Sequence, residues 1–566
     1  MSVPYLLITA YYLFQMISKL SSSSEDESET STKGEIVADS MCNMQTATVL
    51  VEKSTNVQVG PHIQYHAPVT IKQYITVSGE ETSSKNIQIL IKEKFQNVNE
   101  GSDAKLEAEI LTELPTKFTW YGPDCKIIEQ GGSHSRYSIH TNNIRHDKVQ
   151  NRLVINNVTK HDMGLYKVKI ETEDNQQWNY FTLTVADYKP IQKDYVVICY
   201  VALWAYQRPG FAKYTVDDVD PTQCTHLIYA FANLNTSTSN INTLFYFTGS
   251  FIKMTSLKQK YPDLKVLLGV GGWEERDFKN YSIMAESPVK RREFVKSVTK
   301  FIKKYNFDGL DMHWQYPTEK NGVPADRENF VYLLKELREE FNKQRKGWIL
   351  TTPLGVLPLT IKRSYIFPEI SKYVDYMIAL CYAYHGYWEG YTGPNAALYG
   401  LNENDEYNIN YTVNTLIQLG ALPEKLVLGL PLYGRNFLVF NPEHSNKFGG
   451  LTAGQGFEGR YVQEICIELE TVNWTKTWDT VTHTPFMSHG NRFMSYDDKK
   501  SIAEKVEFAI SKRLAGVSVW SLDQDDFRGH CDLAEGDEES QYPLMKTINR
   551  ILYSASLQSS LSCDEN

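Results

Sequence analysis

Between residues 195 and 522 the chain carries the same alternation eight times: a short apolar, β-prone run, then a polar or helical stretch. The runs fall at 195–200, 226–233, 265–272, 307–314, 348–353, 374–382, 425–434 and 516–522. Segments such as 288–305 and 329–344 lie between them and repeat apolar residues every three to four positions, the helical period. Near-continuous Val, Ile and Leu marks strands buried on both faces, not the alternating strands of a half-solvated sheet. Parallel strands need long crossovers, and the intervening helices supply them. Eight such units predict an α/β fold, a (β/α)8 or TIM barrel, with its chemistry at the C-terminal ends of the strands.

The barrel is assigned to residues 194–554, followed by a tail at 555–566. At ~150 residues per domain, 566 residues would predict roughly four domains. One large barrel reduces that to two folded domains and an N-terminal arm. The net charge of −10 (58 basic minus 68 acidic residues) speaks against nucleic-acid binding, which needs clustered Lys and Arg. No apolar run reaches the ~18 residues of a transmembrane span. The 36 Tyr and 10 Trp suit a protein that stacks on a ligand.

Residues 1–20 hold an apolar stretch, Val3 to Ile17, of signal-peptide length, although no Lys or Arg precedes it. An extracellular location is the expectation, with the cytoplasm as the alternative. Residues 21–94, opening on the acidic, Ser-rich Ser21 to Thr30, read as a mostly disordered arm. Within it, residues 56–75 are β-prone and almost uncharged, a composition suited to in-register stacking or to an ordinary edge strand. Val57-Gln58-Val59-Gly60 resembles the tetrad of homotypic interaction motifs that assemble as amyloid-like signalling cores. The following Pro68-Val69-Thr70-Ile71-Lys72-Gln73 resembles the version in insect peptidoglycan-recognition and immune-deficiency proteins.

Residues 95–186 alternate short strands and turns, most clearly at Leu153 to Ile170. Asp162-x-Gly164-x-Tyr166 resembles the tyrosine corner of immunoglobulin-like β-sandwiches, and Trp120 then takes the place of the core Trp. The resemblance implies that Asp162 pairs with an Arg such as Arg136. Ala108 and Val168 stand where the usual cysteines would be. Cys125 has no evident partner.

Phe307-Asp308-Gly309-Leu310-Asp311-Met312-His313-Trp314-Gln315-Tyr316-Pro317 resembles the fourth-strand signature of family-18 glycoside hydrolases, the chitinases and chitinase-like lectins. Cys199-Tyr200 through Trp204 and Cys224 to Phe231 resemble the first two strands. Gly271-Gly272-Trp273 resembles the third. Tyr384-His385-Gly386-x-Trp388, Tyr433-Gly434-Arg435 and Trp520 resemble the sixth, seventh and eighth. Residues 436–498 match the small α+β insertion of many members.

The resemblance implies substrate-assisted retention: a Glu protonates the leaving oxygen, an Asp two residues earlier holds the acetamido N–H, and a Tyr bonds the acetamido oxygen. Strand alternation places residues 311, 313 and 315 on one side. Here they are Asp311, His313 and Gln315, and Ala383 replaces the Asp that follows the family's Tyr, Tyr382. An amide has no proton to give near neutrality, and imidazole supplies no anionic acceptor. Loss of the general acid alone costs ~10²–10⁴-fold. The expectation is therefore no hydrolysis, with the degenerate positions Asp308, Asp311, His313, Gln315 and Ala383. The alternative is a weakly active glycosidase with a non-standard acid, His313.

The sugar-stacking walls are retained: Tyr200, Trp204, Phe231, Trp273, Tyr316, Tyr382, Trp388, Arg435 and Trp520 are the candidate carbohydrate contacts. No metal-ligand spacing occurs nearby, and neither metal nor cofactor is expected. The resemblance pairs Cys199 with Cys224 and Cys466 with Cys531, and leaves Cys42, Cys125, Cys381 and Cys563 over. Sequons stand at Asn157, Asn235, Asn280, Asn410 and Asn473. The expected partner is a chitooligosaccharide or another N-acetylglucosamine glycan, in immunity, tissue remodelling or growth signalling. A protein-interaction scaffold in innate immunity, built on the immunoglobulin-like domain and the N-terminal motif, is the second reading.

Overall fold

The computed structural model describes residues 88–90 and 95–560, except 113, 124–125, 130–134, 146–147, 160–161, 173–175, 186–193, 236, 243–247, 274–277, 457–471 and 530–540. The signal segment, nearly all of the arm with the motif at 56–75, and Cys42, Cys125, Cys466, Cys531 and Cys563 lie outside the described residues.

The first domain is a two-sheet sandwich. One sheet runs β1 (Gln88–Leu90), β3 (Ala104–Leu111), β6 (Lys148–Ile155), β5 (Tyr137–Arg145). The other runs β2 (Phe95–Val98), β8 (Gln176–Val185), β7 (Gly164–Glu171), β4 (Lys117–Tyr121). Alternate residues point inward, as a period of two requires: Ala104, Leu106, Ala108 and Ile110 from β3, and Tyr166, Val168 and Ile170 from β7. Trp120 is fully buried against Phe181, with ring centroids 5.2 Å apart, and its Nε1–H donates to Asn151 Oδ1 at 2.6 Å. The Tyr166 hydroxyl donates to the Asp162 carbonyl at 2.8 Å, which closes the tyrosine corner. Arg136 pairs with the Asp162 carboxylate. Burial alone would raise the pKa of Asp162, but the bonds from Arg136 and Thr159 outweigh it and hold the carboxyl below its ordinary range. Ala108 and Val168 fill the cysteine positions as fully buried apolar residues.

The second domain is a closed parallel barrel: β9 (Val196–Ala202), β10 (His226–Leu234), β12 (Lys265–Gly271), β13 (Gly309–His313), β14 (Ile349–Leu354), β15 (Tyr376–Ala379), β16 (Leu426–Pro431), β22 (Gly516–Trp520), and back to β9. The short β11 (Ile241–Asn242) pairs with β10. Side chains of opposite parity fill two cores. Ile198, Ile228, Leu267, Ile378 and Val427 point into the barrel. Val197, Leu227, Leu268, Met377 and Leu428 lie beneath the surrounding helices. This is why the strands read as nearly continuous apolar runs.

After β16 the chain makes an antiparallel sheet of β17 (Arg435–Val439), β18 (Thr452–Gln455), β19 (Thr475–Asp479), β20 (Thr484–His489) and β21 (Arg492–Ser495), in the order β18-β17-β21-β20-β19. Cys199 and Cys224 form a disulfide joining β9 to the approach to β10, with Cα atoms 6.0 Å apart. Cys381, just past β15, is a buried free thiol whose pKa burial pushes up to about 12. None of the five sequon asparagines is buried. The outer face of β7 and β8 meets the last helix, Pro543–Ser560, where Thr182 Oγ1 and Ser554 Oγ lie 2.8 Å apart. No helix among the described residues is long and apolar enough to cross a membrane.

Candidate functional site

The C-terminal ends of the barrel strands converge on Asp311 and His313 of β13. Asp311 is fully buried and meets three donors. Its Oδ1 accepts from Thr351 Oγ1 of β14 at 2.6 Å. Its Oδ2 accepts from the Tyr200 hydroxyl of β9 at 3.1 Å and from His313 Nδ1–H at 2.8 Å. A carboxylate only accepts, so the bonded imidazole nitrogen carries the proton. His313 is 2% exposed, edge-on to Tyr200 at 5.5 Å and against Phe231 at 4.6 Å.

Gln315 lies beyond the strand end, half-buried, and its Nε2 donates to the Tyr316 hydroxyl at 2.9 Å. This is an amide–phenol bond. Burial raises the Tyr316 phenol above its ordinary range, so neither partner is an acid near neutrality.

Ala383 follows Tyr382 with φ 57°, in the left-handed region, and its N–H donates to Asn395 Oδ1 at 3.2 Å. Asn395 Nδ2 also donates to the Tyr433 carbonyl at 3.0 Å, and its N–H to Ser495 Oγ at 2.9 Å. One buried amide thus ties the ends of the sixth and seventh strands to the insertion. A Cβ in left-handed backbone costs about 1–2 kcal/mol. Ala383→Gly should therefore raise the melting temperature by about 1–2 °C, allowing for the larger backbone entropy of Gly in the unfolded chain. An unchanged or lower value in a thermal unfolding scan would refute the strain.

The walls are aromatic. Phe231 stacks on Trp520 at 5.7 Å, and Trp204 lies 6.1 Å from Trp520. Gly272, at φ 106°, allows this packing, since a Cβ there would come within 2.4 Å of the Phe231 ring. Trp273 and Trp388 are 53% and 55% exposed at the rims. Trp388 lies so close over Gly386 that a Cβ there would sit 2.1 Å from the indole. The Arg435 guanidinium lies over the same indole at 5.1 Å and over Tyr433 at 5.3 Å. Its Nε has no partner among the described residues. Tyr382 is half-buried, with its ring edge-on to Tyr433 at 6.0 Å.

Two expected positions are corrected. Tyr200 is fully buried, with no face open to a sugar, and its hydroxyl is spent on Asp311. It supports the floor and is no stacking platform. Asp308 lies at the opposite end of β13, where its carboxylate accepts from Val266 N–H at 2.8 Å and Lys258 Nζ at 2.9 Å. It clamps the N-terminal face of the barrel, outside the cleft. Sequence reasoning missed Thr351 and Asn395. Thr351 was open to discovery as a polar residue within the apolar run 348–353, whereas Asn395 sits in a loop without periodicity. Among the described residues no group of three or more His, Cys, Asp and Glu could hold a metal ion.

A parallel barrel with this signature on its fourth strand, an aromatic cleft and an antiparallel insertion defines a glycosidase class, and the chain belongs to it: the model of glycosyl hydrolases family 18 matches residues 196–525. The immunoglobulin I-set model matches residues 87–185. A probable chitinase 2 of Drosophila melanogaster is 43% identical over 394 residues, 63% of this chain and 80% of that protein. The Ostrinia furnacalis Group IV chitinase, solved in complex with allosamidin, is 38% identical with a TM-score of 0.60, covering 64% of this chain and all of that one. Human YKL-39, described as a pseudo-chitinase with retained chitooligosaccharide binding, is 31% identical with a TM-score of 0.58, covering 63% and 99% of the two chains.

Proposed function

We propose that this protein captures chitooligosaccharides or other N-acetylglucosamine glycans without hydrolysing them. The observation that carries the reading is Gln315 at the acid position, bonded to Tyr316, beside a cleft walled by Phe231 and Trp520. Asp311, the carboxylate nearest the reacting centre, is buried beneath His313 and tied to three donors. Trp273 and Trp388 offer exposed ring faces, on which a sugar chain can stack. The chitooligosaccharide binding of the pseudo-chitinase YKL-39 supports the same reading. The Cys199–Cys224 disulfide favours an oxidising, extracellular setting, in which the sequons could carry glycans. There the immunoglobulin-like domain would connect the lectin to a protein partner in immunity, remodelling or growth signalling.

Chitohexaose should bind with micromolar affinity, read as a change in Trp fluorescence, and a chromogenic chitotrioside should show no turnover. Trp388→Ala should weaken binding by about tenfold. An absence of binding at millimolar ligand, or turnover that vanishes in His313→Ala, would overturn the proposal.

A further inference from the structure

At the cleft floor His313 makes one hydrogen bond among the described residues. His313 gives Nδ1–H to Asp311, deeper on the same strand, which leaves Nε2 on the mouth side of the ring as a lone-pair acceptor. The tautomer is set by the carboxylate and not by solvent. An acetamido group presents one N–H donor and one carbonyl acceptor. Tyr382 packs on the barrel interior and interacts electrostatically with Asp311, so its hydroxyl can donate to the carbonyl while His313 Nε2 accepts from the N–H. Once the imidazole is protonated, Nε2 becomes a donor as well. Two donors then face each other in a site shielded from water, and the amide N–H goes unpaired.

We propose that His313 gates glycan capture by pH, binding the acetamido sugar when neutral and releasing it when protonated. This rests on the sugar-binding reading above. The groups facing His313 make it the switch. Its own strand contributes Asp311, and β14 contributes the uncharged Thr351 behind it. Tyr200 arrives from β9, and β10 and β22 bring Phe231 and its stacking partner Trp520. From beyond β15 comes Tyr382. Burial holds the Tyr200 and Tyr382 phenols well above their ordinary range, so both stay protonated from pH 8 to 5 and add no charge. Because the neutral form binds, affinity falls as pH falls.

The test uses the full chain and N-acetylchitotetraose. Calorimetric titration at pH 8 and pH 5 should show binding about tenfold weaker at the lower pH, the equivalent of one lost hydrogen bond. At a pH between these two, titration in two buffers of different ionisation enthalpy should show proton release on binding. This second measurement needs no variant. His313→Asn, whose amide does not titrate, should flatten both dependences. Equal affinity at the two pH values without proton release overturns the gate and leaves the sugar-binding reading standing. A pH dependence that persists in His313→Asn also overturns it. An absence of binding at pH 8 overturns both.

Discussion

Restoring three side chains should switch on chitin hydrolysis: His313→Asp, Gln315→Glu and Ala383→Asp together should raise turnover of a chromogenic chitotrioside about 10²–10⁴-fold above the wild-type background. Glu at 315 provides a dissociable proton where the amide now bonds Tyr316. Asp at 313 would stand beside Asp311, where two close carboxylates share one proton, and the restored acceptor is anionic. Asp at 383 also suits the left-handed backbone better than Ala does. Gln315→Glu alone should gain far less, because the imidazole at 313 leaves the developing positive charge without its anionic partner. Residues that act as a unit are strongly non-additive. A triple variant that still binds chitohexaose but turns over nothing would place the lost chemistry elsewhere. Wild-type turnover equal to that of the triple variant would show that the three departures do not silence the enzyme.

The largest stability effect is expected at a buried ion pair. Lys505 and Asp497 form an ion pair where the insertion rejoins the barrel, with both side chains essentially unexposed. Ser501 Oγ adds a bond of 2.6 Å to the same carboxylate oxygen, while Oδ2 has no partner among the described residues. Burial raises the pKa of Asp497, and Lys505 opposes that rise. Lys505→Met removes the opposition and leaves a buried carboxylate uncompensated, at a cost of about 3–5 kcal/mol. In that variant the folded-state pKa of Asp497 rises further above its unfolded value. The folded state then binds more protons, so the deficit is largest at high pH and shrinks as pH falls through the raised pKa. Proteolysis of transiently open protein at pH 5 and pH 8 reads this directly. The double variant Lys505→Met/Asp497→Leu should be more stable than the single one. A single variant as stable as wild type at both pH values would refute the assignment.

The barrel was legible because strands buried on both faces leave continuous apolar runs, and eight of them with helices between close in one way. The sandwich was legible through Trp120 and the corner at Asp162 and Tyr166, whose spacing is local. Gln315 was legible as a group with no proton to give near neutrality, since the proton inventory of a side chain needs no coordinates. Asp308 and Tyr200 were misplaced because a motif records order along a strand and not depth within a barrel. Only two residues separate Asp308 from Asp311, yet one lies at the bottom face and the other under the cleft.

Sequence by itself determined the two folds and the amide at position 315, because periodicity and side-chain chemistry are properties of the chain. The tertiary structure alone decided what the remaining groups do. Thr351, Tyr200 and His313 come from three different strands to hold one carboxylate. Asn395 joins the sixth strand to the seventh and to the insertion. Hydrogen bonds between groups distant in the chain depend on barrel closure and register, and these settle which groups surround the carboxylate that His313 Nδ1 meets.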